Sequence, residues 1–263
     1  MASLKLISLT KRQRFILASI ATFGLSWFFP TIWQYGPLGL IGIIIVLYAI
    51  MYYALWENIT GIEYLTLFIL PITFIVGSNL FISILPERKI FRYPLYALIP
   101  IGTYIILLTE NIFNVAAIRT IQLLRAAHAV SYIATLLTAY FLLSYIVSLH
   151  ADIVYSSILI TLTISPLTLQ FLWSFDLISA FSRRTSLYIA VISIVFIQIN
   201  ILMHFYPQSV AMTSLFLVAV YYVLLGILQH FYEKKLTRKP IVEYAIVACI
   251  VFIIMIITTA WQG

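Results

Sequence analysis

The sequence predicts an all-α fold: a polytopic transmembrane helical bundle of about nine spans, with eight as the alternative. Three observations carry this. First, 63% of the 263 residues are hydrophobic and only 9% are charged, with mean hydropathy +1.10, so water could not solvate the chain. Second, the apolar residues form runs of about 17 to 25, the length a helix needs to cross a bilayer. Third, these runs show no apolar/polar alternation, which favours helices over barrel strands as the way to satisfy backbone groups inside lipid.

The nine candidate spans are, in order, Phe15 to Phe29, Leu38 to Leu55, Tyr64 to Leu85, Tyr93 to Thr109, His128 to Leu149, Ile153 to Ser174, Ser186 to Leu202, Val210 to Phe231 and Ile241 to Ala260. The first ends in the interfacial cluster Trp27-Phe28-Phe29-Pro30 with no small-residue cleavage site, so it is expected to be an uncleaved span. The link from Pro30 to Pro37 has no charge and predicts a tight hairpin between the first two spans. In the third, Pro71 and Gly77-Ser78-Asn79 are expected to interrupt the helix, and in the fourth, Pro94, Pro100 and Gly102 punctuate it.

The sixth span is rich in hydroxyls, among them Ser156, Ser157, Ser165 and Thr168, which predicts helix-to-helix hydrogen bonding. In the seventh, Asn200 and His204 are four apart and share a face. The chain reads as one integral membrane domain over 1–263, with a basic N-terminus, 1–14, and a central polar stretch, 110–128.

The net charge of +7 would hint at nucleic acid in a soluble protein. Here the basic residues lie between apolar segments, so topology and contact with anionic lipids account for them, and no nucleic-acid partner is expected. With the N-terminus in the cytoplasm and nine crossings, twelve of the fifteen Lys and Arg fall inside; Arg88, Lys89 and Arg92 fall outside and are discordant. Cys249, the sole cysteine, excludes an internal disulfide or thiolate cluster. No phosphate-binding, nucleophile-elbow or HExxH motif occurs, and the four histidines are expected to hydrogen-bond near helix ends. Neither metal nor cofactor is expected. Asn58-Ile59-Thr60 matches a glycosylation sequon that this orientation places inside.

The densest cluster of charge and amide runs from Glu110 to His128. As one helix, it would place Glu110, Asn111, Asn114, Gln122, Arg125 and His128 within an arc of about 120°, with Ile118 and Ile121 interrupting the stripe and Arg119 about 60° beyond it. Two registers are open. In one, the fourth span ends near Thr109 and the stretch lies on the membrane surface, its arginines at lipid headgroups. In the other, the fourth helix continues to about Ile118 and carries Glu110, Asn111 and Asn114 into the bilayer, where a carboxylate needs a partner, water or a raised pKa.

The candidate polar or anionic-lipid site is therefore Glu110, Asn114, Arg119, Arg125 and His128, with no catalytic residue assigned. The leading functional expectation is a non-enzymatic integral membrane protein. The alternatives are a small-solute or lipid carrier using Asn79, Glu110, Asn114, Gln198 and Asn200, and an enzyme acting on a lipid or polyprenyl phosphate through Glu110, Arg119, Arg125 and His128. The run Thr109 to Ala139, TENIFNVAAIRTIQLLRAAHAVSYIATLLTA, resembles multi-pass bacterial membrane proteins without an assigned activity. The resemblance implies a bacterial inner membrane and no mechanism.

Overall fold

In the computed structural model, the described residues are 10–57, 59, 61–116, 122–177, 182–206, 208–233 and 238–258. Among them the chain forms nine α-helices and no strand. It divides into two compact units, 1–123 and 124–263. Among the described residues, eight helices are long and apolar enough to cross a membrane, so the protein is a multi-pass membrane protein. The ninth carries a shorter apolar stretch, Ile241–Ile257.

Unit 1 holds α1 (Lys11–Trp33), α2 (Pro37–Leu55), α3 (Glu63–Ile84) and α4 (Lys89–Ala116). A capping box starts α1: Gln13 N donates to the Thr10 hydroxyl, and Thr10 N donates to Gln13 Oε1 at 2.9 Å. The helix then passes through Pro30 to Trp33, four residues beyond the expected end at Phe29. Its buried face, Phe15, Ala18, Ser19, Thr22, Ser26 and Phe29, keeps helical spacing up to the proline, and continued packing outweighs the one amide that proline lacks.

The expected hairpin follows. Gly36 takes φ +62° and Pro37 starts α2. At Gly39 a Cβ would lie 2.2 Å from the Ile32 carbonyl oxygen, so the hairpin closes only over a glycine.

The expected break in α3 does not occur. The helix runs unbroken through Pro71 and Gly77-Ser78-Asn79. Thr73 Oγ1 donates to the Ile69 carbonyl at 2.6 Å, and Asn79 Nδ2 donates to Ile75 O at 2.8 Å and to Ser26 Oγ at 3.0 Å. Asn79 thus ties α3 to α1 where an interruption was expected. Likewise α4 is continuous through Pro94 and Pro100 for 28 residues, about 42 Å at ~1.5 Å per residue. That exceeds a hydrocarbon core of about 30 Å, so α4 has length to tilt or project.

Residues 110–128 are divided between two helices, as both registers allow: α4 runs to Ala116, Gln122 and Leu123 form a turn, and α5 begins at Leu124. The polar stripe splits because its two halves have different environments. Glu110 and Asn114 are buried in unit 1, whereas Arg125 is exposed.

Unit 2 holds α5 (Leu124–Ser148), α6 (Ile153–Trp173), α7 (Arg183–His204), α8 (Val210–Tyr232) and α9 (Arg238–Thr258). Asp152, Ser182 and Ser209 cap α6, α7 and α8 by accepting first-turn amides. The hydroxyls of α6 bond between helices as expected: Ser165 to Ser193 at 3.0 Å, Thr168 to Tyr221 at 3.0 Å, and Asn200 Nδ2 to Ser156 and Ser157 at 2.9 and 3.0 Å.

Candidate functional site

The short α1–α2 and α3–α4 connections bring the first turn of α1, the last turn of α2, the first turn of α3 and the last turns of α4 to one end of unit 1. Charge collects there. Lys11 and Arg14 are three apart on α1 and share a face. Glu57 lies just past α2; its Oε2 pairs with Lys11 Nζ at 2.9 Å, and its Oε1 accepts from Arg14 Nη2. Asn114 Nδ2, on α4, donates to the Glu57 carbonyl at 2.9 Å.

The three charged groups differ in burial. The Arg14 side chain is 6% exposed, Lys11 34% and Glu57 41%. Arg14 also lies over the Trp56 ring, 5.7 Å from its centroid. A guanidinium at this depth needs its counter-charge within contact, and Glu57 supplies it. The hydrogen bond from Lys11, joined by that from Arg14, holds the Glu57 carboxyl below its ordinary range against partial desolvation. Glu63, in the first turn of α3, and Glu110, one turn before Asn114 on α4, are both buried.

Two of the expected site residues, Glu110 and Asn114, therefore meet this end of unit 1. Arg119 lies outside the described residues, as do Asn58 and Thr60 of the sequon. Arg125 is exposed in the first turn of α5. His128 lies in unit 2, where Nε2 donates to the Ser174 carbonyl at 2.8 Å and the ring stacks on Phe175 at 4.1 Å.

Lys11, Arg14 and Glu57 were not in the expected site. The basic pair looks like a topology signal in sequence, and Glu57 like a solvated loop carboxylate. The available clue was the spacing of Lys11 and Arg14 on one helix face, followed by an acid at the end of the next apolar run.

Unit 2 has its own polar place. A cavity of about 330 Å³ is lined by Ser156, Asn200, His204 and Gln208, among others. The shared face expected for Asn200 and His204 is there, with His204 Nδ1 donating to the Asn200 carbonyl at 2.9 Å. His150 and His230 likewise donate to backbone carbonyls near helix ends. Among the described residues, no group of three or more His, Cys, Asp or Glu is placed to hold a metal ion.

No curated protein and no solved structure shows significant similarity to the chain. The likeness to proteins without an assigned activity, drawn from 109–139, is matched by a family model over far more of the sequence. That model, described as "Protein of unknown function (DUF5656)", covers residues 14–258, and the chain belongs to this family.

Proposed function

We propose that the protein is a non-enzymatic component of a bacterial inner membrane, oriented with the N-terminus in the cytoplasm, whose buried polar groups hold the bundle together. One observation carries the non-enzymatic part. At the charged end of unit 1 Lys11 and Arg14, two of the three described cations there, are committed to Glu57, and Asn114 is committed to the Glu57 backbone, so the chain itself occupies the ion-pairing groups that Arg14 and Glu57 bring together. His128, considered above for an enzyme, is engaged through Nε2 by the Ser174 carbonyl.

The orientation rests on where cations fall. Lys11, Arg12 and Arg14 start α1, Arg125 starts α5, Arg183 and Arg184 start α7, and Arg238 and Lys239 start α9. In a chain that crosses at every helix, these starts share one side, and the positive-inside rule makes it the cytoplasm. Exposed Arg12 and Arg125 then face anionic headgroups, which are the expected partners. The bacterial membrane is implied by the resemblance over 109–139.

A carrier is the second reading, favoured by the unit 2 cavity beside Asn200. Reconstitution into proteoliposomes separates the two. The structural reading expects no saturable flux over a panel of small solutes and fluorescent lipids, and a lowered melting temperature without any activity change in Glu110→Gln. Saturable flux of one solute, lost in Asn200→Ala or Glu110→Gln variants that melt like wild type, would replace it with the carrier.

A further inference from the structure

At the end of unit 1 opposite the Glu57 cluster, α1, α3 and α4 enclose a cavity of about 220 Å³. Its lining includes Arg92 from α4, Ser83 from α3, and the aromatic rings of Trp33 and Tyr96. Among the described residues, no carboxylate lines it. A second cleft of about 340 Å³ shares Arg92 and Tyr96 and adds Lys89, Glu87, Trp27 and Tyr93.

Arg92 is half-buried and its fork is partly fixed. Nη2 donates to the Leu85 carbonyl at 2.8 Å, while Nε is buried with no acceptor. A buried guanidinium donor without an acceptor costs free energy, and an oxyanion is the group its geometry accepts best. The same residues are the ones that violate the positive-inside count, so topology gives no reason for cations here, and a ligand does.

We infer that this cavity, lined by Trp33, Tyr96 and an Arg92 fixed by Leu85, is a binding site for the phosphate of an anionic amphiphile, Lys89 adding charge from the adjoining cleft. The lipid source is favoured by the surroundings: Trp27 and Tyr93, 64% and 53% exposed, rim the adjoining cleft, and such rings settle at headgroup depth. Glu87 is exposed on the same rim and disfavours a second anion there. The inference concerns a different end of unit 1 from the Glu57 cluster and stands apart from the proposed non-enzymatic role; only its charge-count argument rests on the proposed orientation.

The test is native mass spectrometry and thermal melting of the full chain in a neutral detergent, with phosphatidylglycerol, phosphatidylcholine or inorganic phosphate added. Wild type is expected to retain one phosphatidylglycerol and to melt at higher temperature with it, and phosphatidylcholine to do neither. Arg92→Gln should weaken retention about tenfold or more, because a charge-assisted bond is lost. Since Arg92 also bonds Leu85, Ser83→Phe serves as a second variant that fills the cavity and leaves that bond intact; it should abolish retention at unchanged helicity. Arg12→Gln removes one exposed cation from the other end and should retain lipid like wild type. Stabilisation by inorganic phosphate equal to that by phosphatidylglycerol would keep the anion site and assign it a soluble ligand. Equal retention in Ser83→Phe and wild type, or equal losses in Arg12→Gln and Arg92→Gln, would overturn the site.

Discussion

Replacing Glu57 by Ala is expected to destabilise the protein by about 3 kcal/mol, while Lys11→Ala costs about 0.5 kcal/mol or less. The asymmetry follows from burial. Removing Glu57 leaves the Arg14 guanidinium, 6% exposed, without its counter-charge and with Lys11 as a nearby like charge. Removing Lys11 leaves Glu57 still paired with Arg14 and partly in water. Thermal or SDS-induced unfolding in detergent measures both, and equal small losses would mean the triad is a surface contact.

The same contact gives an acid limb. The folded carboxyl titrates below its unfolded value of about 4.3, so its contribution is fully present above that pH. It is lost as pH falls from there through the lowered folded value. Wild type should therefore lose stability in this window more steeply than Glu57→Ala.

Gly102→Leu is the second large effect, an expected loss of about 3 kcal/mol or a failure to assemble. A Cβ at Gly102 would lie 2.4 Å from Phe74 Cζ and 2.7 Å from Cε1. Phe74 is only 1% exposed, so its ring has little room to move, and α4 must separate from α3. Without water to drive helices together, such close packing is a main source of association in lipid. Gel filtration and melting should show the damage, and Phe74→Ala in the same chain should restore much of it. No recovery in the double variant would show that Gly102 serves another purpose.

The helices were legible because each apolar run is long and bounded by charge or a cap: the expected second, third, sixth and eighth spans agree with α2, α3, α6 and α8 to within a residue at either end. Proline misled more than any other residue. Pro30, Pro71, Pro94 and Pro100 all sit inside continuous helices, where each removes one backbone donor without ending the helix. The central stretch was legible only in halves. Glu110 and Asn114 are buried within unit 1, and α4 reaches Ala116, seven residues past the Thr109 end of the surface reading.

The partner set at that cluster was hidden because it is long-range. Asn114 meets a carbonyl 57 residues away and Arg14 an acid 43 residues away, distances over which no sequence periodicity reports. Likewise, Arg92 appears in sequence as a topological anomaly, and only the fold shows the cavity beside it.

Sided cysteine labelling in a Cys249→Ser background tests the central claim, that the Glu57 end of unit 1 is closed and lies at the cytoplasmic side of a membrane-spanning bundle. With a membrane-impermeant maleimide, Arg12→Cys is expected to react only in inside-out vesicles, and Gln34→Cys, in the exposed α1–α2 turn, only in right-side-out ones. Glu110→Cys, at a position with 0% exposure, should react in neither until the protein is unfolded. Rapid labelling at position 110 in folded vesicles would contradict the closed cluster, and reversed labelling at 12 and 34 would contradict the orientation.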